Sequence, residues 1–181
     1  MAKEIAKNEE KKMREGNISL VLDSYNDLFS DFDPRGYSER TISDDFLLEC
    51  KRAARDKDLG FELRLLAPKT KRNLNDELKI KKRLKNHFQK HYFEKKQEIK
   101  TIRSNALILT IFGMILLLIA TFIYEQEKSL FFSFIIIVIE PAGWFTTWIG
   151  LEKLFLESKE KKLDLIFYKK MASVAINFID Y

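Results

Sequence analysis

Two long apolar segments constrain this chain more than any other feature. Residues 106–124 carry no formal charge, and residues 130–150 carry only one, Glu140. A helix needs about 20 apolar residues to cross a hydrocarbon core roughly 30 Å thick. Both segments meet this length, so we predict membrane spans at about 106–124 and 130–150. The short polar stretch between the two segments makes them a transmembrane hairpin.

Charge is concentrated next to the first apolar segment. Residues 69–103 contain thirteen Lys or Arg against four Asp or Glu, in a chain whose net charge is +5. Positive charge collects on the cytoplasmic side of a membrane. We therefore expect both termini in the cytoplasm and the turn at 125–129 outside. Residues 1–17 lack the apolar run of a signal peptide and are expected to form a charged flexible tail.

Short strands are predicted on both sides of the apolar segments. Apolar residues alternate with polar ones near residues 18–22, 61–65 and 174–178, which is typical of strands. A helix between the first two strands favours a right-handed parallel crossover. The predicted fold class is an α+β membrane protein, in which a small cytoplasmic three-stranded β-α-β-β domain is built from both ends of the chain.

Two helices of the cytoplasmic part have recognisable starting points. Ser43 resembles an N-cap, and Phe46 and Cys50 lie on one face of the helix that would follow it. Asn75 is the predicted cap of a longer helix. Because no Pro or Gly lies between Asn75 and Gly113, we expect this second helix to continue unbroken into the first span.

The predicted elements divide the chain into four parts. These are the charged tail (1–17), a cytoplasmic β-α-β domain with a basic helix (18–103), a transmembrane hairpin (104–150), and a cytoplasmic helix with a closing strand (151–181). A domain with so small a core gains stability by packing against copies of itself. Self-association is therefore expected.

Glu140 and the proline that follows it are the strongest functional signal. At about 1.5 Å per residue, Glu140 lies roughly 15 Å along the helix from Leu130, near the centre of a bilayer. An ionisable group at this depth marks an ion path or a paired functional group by default. Pro141 removes a helical hydrogen bond and favours a kink, and Gly143 permits close backbone approach. These three residues form the predicted pore or gate.

Two alternatives for Glu140 stay open. A protonated carboxyl group could be hydrogen-bonded between helices without conducting ions. The second span could also end near Glu140, with the following residues forming an interfacial turn. Neither alternative requires a pore.

Small residues recur with a period of seven in both spans. Ala106, Gly113 and Ala120 show this spacing in the first span, and Gly143 and Gly150 show it in the second. Small side chains let membrane helices approach closely. We interpret these positions as helix-packing sites.

The basic helix has two functional interpretations. Its candidate contact residues are Lys81, Lys82, Arg83, Lys85 and Lys90. They could lie against anionic lipid headgroups. They could instead bind the phosphates of a nucleotide or nucleic-acid ligand. The alternative without a binding role is a solvated helix face.

The sequence gives only weak evidence for metal binding or enzymatic activity. His87 and His91 are four residues apart, but no cysteine or catalytic glutamate motif accompanies them. The acidic loop at 23–33 lacks the spacing of a calcium loop, and its Asp31 and Asp33 support only a weak hypothesis of a metal-dependent phosphoesterase. No phosphate-binding glycine loop or nucleophile elbow is present. We therefore expect no cofactor, no metal and no enzymatic activity.

Two stretches of the sequence carry a resemblance to known proteins. They are residues 22–35 continued by 43–47, and residues 140–145 with their Glu-Pro-Ala-Gly-Trp-Phe sequence. They resemble small bacterial two-span membrane proteins, and within that group the channel-forming effectors of Hailong anti-phage defence systems. The resemblance implies a homo-oligomeric ion channel, a tetramer, in the bacterial inner membrane. It also implies a partner nucleotidyltransferase whose oligonucleotide signal opens the channel and depolarises the membrane.

The sequence thus predicts a homo-oligomeric membrane ion channel gated through its cytoplasmic domain, with an antiviral defence role. The alternative is a non-conducting membrane anchor whose cytoplasmic domain recruits a soluble partner.

Overall fold

The structure is a computed structural model that describes residues 17–55, 62–125 and 129–181. The predicted tail up to residue 16 and most of the turn at 125–129 lie outside the described residues. Along the chain the elements are β1 (Ile18–Val21), a 3₁₀ turn (Tyr25–Leu28), α1 (Asp44–Ala54), β2 (Glu62–Ala67), a second 3₁₀ turn (Lys69–Lys71), α2 (Leu74–Glu125), α3 (Leu130–Glu152), a π-helical turn (Lys153–Glu157), α4 (Ser158–Ser173) and β3 (Ala175–Asp180).

The chain divides into two compact units. Met1–Phe93 and Ile166–Tyr181 form the first, which we call the sheet unit, and Glu94–Leu165 form the second, the hairpin unit. The described residues are mostly helical, with two long apolar helices and one small sheet. At this coarse level the predicted fold class is confirmed.

The sheet consists of three parallel strands in the order β1-β2-β3. Leu63 of β2 is in register with Ile18 of β1 and with Ile176 of β3. Along β2 every second residue is buried, as expected for a strand with one face on the core. The parallel pairing of β1 and β2 agrees with the predicted crossover.

One face of α2 supplies much of the core of the sheet unit. Ile80, Leu84 and Phe88 are fully buried, and their spacing of four residues keeps them on one side of a helix with 3.6 residues per turn. Cys50 of α1 and Met171 of α4 are buried in the same cluster. The core therefore joins three helices to one face of the sheet.

The N-cap of α2 is Asn73, so the prediction of Asn75 was wrong by two residues. Asn73 Oδ1 accepts a hydrogen bond from the backbone amide of Asn75 at 3.0 Å, and its carbonyl accepts from the amide of Glu77 at 2.9 Å. Ser43 does precede α1, but its side chain makes no capping hydrogen bond. As expected, α2 is unbroken and comprises 52 residues.

A buried carboxylate ties the start of α2 to the loop after β1. Glu77 is only 3% exposed. It accepts hydrogen bonds from Tyr25 Oη at 2.9 Å and from Arg72 Nε and Nη2 at 2.8 and 3.0 Å. The hydrogen bonds from Arg72 lower the pKa of Glu77. The charge is therefore compensated, as burial requires.

The same network reaches the last strand and the backbone of the second 3₁₀ turn. Arg72 Nη1 lies 3.5 Å from Asp180 at the end of β3. The Tyr25 hydroxyl accepts from the backbone amide of Asn73 at 2.9 Å. Burial is the main cause that raises the pKa of Tyr25. The Tyr25 hydroxyl thus donates to the buried Glu77 and accepts from the Asn73 amide.

We predict that Tyr25→Phe lowers the free energy of unfolding of the sheet unit by about 1–3 kcal/mol, because Glu77 and the Asn73 amide both lose a partner. Thermal unfolding of the purified protein, followed by near-ultraviolet circular dichroism, measures this loss. Tyr37→Phe is the matched control, since its hydroxyl makes only an exposed 3.5 Å contact with Asn26. Equal losses in the two variants would contradict the importance of the Glu77 network.

Cys50 gives a second test of the core. Its side chain is fully buried, and burial, with a smaller contribution from the charge of Glu49, raises its pKa to about 12. Because only the thiolate reacts with alkylating agents, we expect no labelling by iodoacetamide at neutral pH until denaturant unfolds the sheet unit. Stoichiometric labelling of the native protein would show that α1 is not packed as described.

Candidate functional site

Glycine residues bring α2 and α3 into backbone contact within the hairpin unit. A Cβ atom added to Gly113 would lie 2.5 Å from the backbone nitrogen of Thr147 and 2.8 Å from the carbonyl oxygen of Gly143. These distances are far below any normal contact. Only a hydrogen atom fits at Gly113, so the helices approach as closely as their backbones allow.

A second close contact lies further along the same pair of helices. A Cβ atom on Gly150 would lie 2.7 Å from the backbone nitrogen of Thr110 and 2.9 Å from the carbonyl oxygen of Ala106. The Ala106 and Ala120 side chains are also buried. We call this contact the seam, and its residues are Ala106, Thr110, Gly113, Ala120, Gly143, Thr147 and Gly150.

The seam contains all five small residues that recur with a period of seven, and Gly143 is one of them. Gly143 was grouped with Glu140 and Pro141 as a pore or gate residue. It is buried, and a Cβ atom there would lie 2.9 Å from Leu117 Cγ. Within one chain, Gly143 therefore serves the contact between α2 and α3.

Two threonines of the seam were not predicted from the sequence. The Thr110 hydroxyl donates to the carbonyl of Ala106 at 2.9 Å. Thr147 Oγ1 is buried and has no hydrogen-bond partner in the part of the chain that the structure describes. Both lie three or four residues from a seam glycine, and this spacing is the signal by which the sequence could have indicated them.

Glu140 lies at the side of the seam with its side chain exposed. At about 100° per residue it is about 60° around α3 from Gly143. It borders a cleft of about 440 Å³ in the hairpin unit. The other lining residues are Leu117, Ala120, Thr121, Tyr124, Ile136 and Trp144. Glu140 supplies the only formal charge of this cleft.

Pro141 does not interrupt α3, which extends from Leu130 to Glu152. Because proline has no amide hydrogen, the carbonyl of Ile137 has no helical donor four residues later. The helix therefore lacks one backbone hydrogen bond one turn before Pro141.

The apolar helices expose most of their side chains. In the most apolar 18-residue window of each helix, only 22% and 11% of the residues are buried. By length and composition, both helices are able to cross a membrane. Examples of the exposed residues are Leu118, Phe122, Phe131, Ile137 and Phe145. A continuous apolar surface of this kind marks contact with lipid or with other protein chains.

Polar contacts link α2 to α4 within the hairpin unit. Arg103 Nε donates to Ser158 Oγ at 2.9 Å, and Ser158 is 2% exposed. Lys161 Nζ lies 2.9 Å from Glu98. Hydrogen bonds from Lys95 and then Lys161 lower the pKa of Glu98. These residues continue the contact between helices beyond the uncharged segments.

The five basic candidates on α2 do not form one patch. Lys82 and Lys85 are exposed, whereas Lys81 lies with Nζ 5.7 Å from the centre of the Phe178 ring. Arg83 Nε donates to the carbonyl of Arg40 at 3.0 Å. Arg83 and Lys90 lie about 140° or more around the helix from Lys85. The structure thus brings together Lys81, Lys82 and Lys85 only.

His87 and His91 are in contact, but they pack against aromatic rings and do not belong to a cluster of metal ligands among the described residues. Their ring centres are 4.3 Å apart, and His91 stacks on Tyr168 at 5.3 Å. Burial, followed by the charges of His91, Arg83 and Lys90, lowers the pKa of His87 to about 4. The described residues contain no group of three or more potential metal ligands.

The acidic loop after β1 is organised by hydrogen bonds. Asp33 accepts from Arg35 Nε and Nη2 at 2.9 and 2.7 Å, and from the amide and hydroxyl of Thr41 at 2.7 and 2.8 Å. The side-chain bonds from Arg35 and Thr41 lower the pKa of Asp33 well below its usual value. Asp33 therefore fixes the loop, and Asp31 is exposed.

Comparison with known proteins does not identify a family for this chain. No protein-family model, curated protein or solved structure matches this chain. The function must therefore be inferred from the residues of the seam, the cleft and the sheet unit.

Gly113→Ala tests the seam. Because alanine favours a helix over glycine by about 1 kcal/mol, the substitution would stabilise an isolated helix. In the seam the added methyl group must push the helices apart, and we predict a loss of about 1–3 kcal/mol in unfolding free energy. Gly36→Ala is the control, since nothing lies within 4 Å of its Cβ position. A Gly113→Ala variant as stable as this control, both measured by thermal unfolding in detergent, would contradict the described contact.

Proposed function

We propose that this protein is a homo-oligomeric membrane ion channel whose conduction path includes Glu140. The hairpin helices span the bacterial inner membrane, and both termini lie in the cytoplasm. The observation that carries the proposal is an exposed carboxylate within two helices that otherwise carry no charge over 106–124 and 130–150.

The membrane location is supported by the surface of the hairpin unit and by the charge block before it. The exposed apolar residues cover both helices, and the basic residues over 69–103 precede the first apolar segment. In a membrane, the exposed apolar residues contact acyl chains, and the basic residues favour the cytoplasmic side.

An aqueous path is supported by Glu140, which makes no hydrogen bond or ion pair with the residues that the structure describes. A carboxylate at bilayer depth needs a counter-charge, a hydrogen-bond donor or water. Neither apolar segment contains Lys, Arg or His, so copies of this hairpin cannot supply a positive charge at that depth. A shared axis with water supplies the solvation, and a ring of carboxylates favours cations.

Several copies are required because two helices cannot enclose a pore. The seam uses one side of each helix and leaves Glu140 and its cleft exposed beside it. Packing of a second hairpin against this side brings the carboxylates toward a common axis. We propose four copies, the number that the resemblance implies.

Gating is the part that rests on the resemblance alone. The Hailong effectors that the chain resembles imply an oligonucleotide signal, made by a partner nucleotidyltransferase, that opens the channel. Opening depolarises the membrane and stops phage growth in the infected cell. We assign no residue of the sheet unit to the signal.

Glu140→Gln tests the conduction path because it removes the charge and keeps the shape. In proteoliposomes we expect potassium flux to fall roughly tenfold, which corresponds to about 1.4 kcal/mol in the barrier, and the preference for potassium over chloride to disappear. Glu152→Gln is the matched control, since Glu152 is exposed at the end of α3 outside the apolar segment. Equal flux in the Glu140 and Glu152 variants would remove Glu140 from the conduction path.

One observation favours the alternative, a non-conducting anchor that recruits a soluble partner. The seam closes within a single chain, so one hairpin already buries its glycines without a neighbour. An anchor of this kind would be monomeric in detergent and would not conduct. Mass photometry of the purified protein separates the two functions, since a monomer cannot form the proposed pore.

A further inference from the structure

The sheet unit displays one aromatic side chain that touches almost nothing in its own chain. Phe32 is 98% exposed. It lies in a turn closed by a hydrogen bond from the Asp33 amide to the Ser30 carbonyl at 3.3 Å. A fully exposed phenylalanine stabilises nothing within the monomer, and aromatic anchors of this kind carry much of the energy of protein interfaces.

The turn that carries Phe32 is held in place. Arg40 Nε and Nη2 donate to the Ser30 carbonyl at 3.1 and 3.0 Å, and Asp33 is bound by Arg35 and Thr41 as described above. We call residues 30–33 the Phe32 turn. Because the turn is already ordered, Phe32 can be buried by a partner with little loss of conformational entropy.

A complementary surface lies on α2. Leu74 and Leu78, one helical turn apart, are 74% and 67% exposed. Lys82 and Lys85 continue the same side of the helix and are exposed. Within the described part of the chain neither lysine has an acidic partner. We call these four residues the leucine–lysine face.

The charges of the two surfaces match. Asp31, next to Phe32, has a side chain that is 90% exposed, and its nearest cation is Arg40 at 3.9 Å. Arg40 is already engaged by the Ser30 carbonyl and by Asn26 Oδ1 at 2.7 Å. The Phe32 turn, with one phenylalanine and one exposed carboxylate, is therefore complementary in polarity and charge to the leucine–lysine face.

The two surfaces of one molecule face different directions. Arg83 binds the Arg40 carbonyl and so marks the side of α2 that contacts the loop. Lys85 lies about 160° around the helix from Arg83. The Phe32 turn therefore cannot reach the leucine–lysine face of its own chain. A contact between unlike surfaces of identical chains repeats head to tail and forms rings when the rotation closes.

We propose that the Phe32 turn of one copy docks on the leucine–lysine face of the next copy. Phe32 packs between Leu74 and Leu78, and Asp31 pairs with Lys82 or Lys85. This inference deepens the proposed function, because it supplies the contact through which the sheet units of the oligomer are arranged as a ring.

Disulfide cross-linking in membranes tests the contact directly. Two differently tagged copies of the full chain, one with Phe32→Cys and one with Leu78→Cys, are expressed together and oxidised with copper phenanthroline. We expect the mixed dimer to form roughly tenfold more than with Phe32→Cys and Leu48→Cys, a control whose site on α1 is 45% exposed. The native Cys50 is buried and present in every sample. Equal cross-linking at Leu78 and Leu48 would overturn the proposal.

A charge exchange separates a direct contact from a loss of folding. Asp31→Lys alone and Lys82→Glu with Lys85→Glu should each weaken self-association roughly tenfold, since like charges then meet across the contact. The two changes combined should restore association, while circular dichroism stays unchanged throughout. Combined variants that associate no better than Asp31→Lys alone would refute the pairing. An oligomer of unchanged size in Phe32→Ser would overturn the docking of Phe32 on a second copy.

Failure of this contact and failure of the channel are distinguishable. If Glu140→Gln reduces flux but Phe32 and Leu78 do not cross-link, the channel stands and this interface is wrong. If they cross-link and the assembled protein conducts no ions, the interface stands and the proposed conduction is wrong.

Discussion

The hairpin unit depends on the contact between glycine backbones of α2 and α3. In the membrane location that we propose, apolar side chains gain nothing by leaving acyl chains for each other, so van der Waals contact must hold the helices together. Gly113 and Gly150 give that contact, since neither position has room for a methyl group. The seam occupies one side of each helix and leaves the opposite sides exposed. This division places Glu140 at an open surface, because it lies beside the seam and not within it.

The carboxylates of Glu77 and Glu140 have opposite surroundings. Glu77 is buried, and Arg72 and Tyr25 compensate its charge within the chain. Its role is structural, since it joins α2 to the sheet and the loop after β1. Glu140 has no cationic partner in either apolar segment and is exposed. An uncompensated charge at that position needs water or other copies of the chain, and this difference is the reason that Glu140, and not Glu77, carries the proposed function.

The sheet unit combines a small core with exposed apolar side chains. Its core is formed by one face of three short strands and the helices on it, and Phe32, Leu74 and Leu78 lie outside that core and are exposed. The hydrogen bonds of Asp33 and Arg40 hold the Phe32 turn in a fixed shape. A rigid turn and a helix face on opposite sides of one unit favour repeated head-to-tail contact. The proposed assembly through the sheet units and the proposed assembly through the hairpins can therefore be tested independently.

Lengths and periods along the chain determined the two apolar helices, the three short strands and the positions of the small residues, because each depends on local spacing alone. The tertiary structure decided which partners those residues meet. It packed Gly143 in the seam and left Glu140 exposed beside it, it put the cap of α2 at Asn73, and it buried Glu77 beside a tyrosine that is 52 residues away in the chain. Contacts of this kind join distant segments, and a residue's own neighbours in sequence do not specify which distant group will share its surroundings.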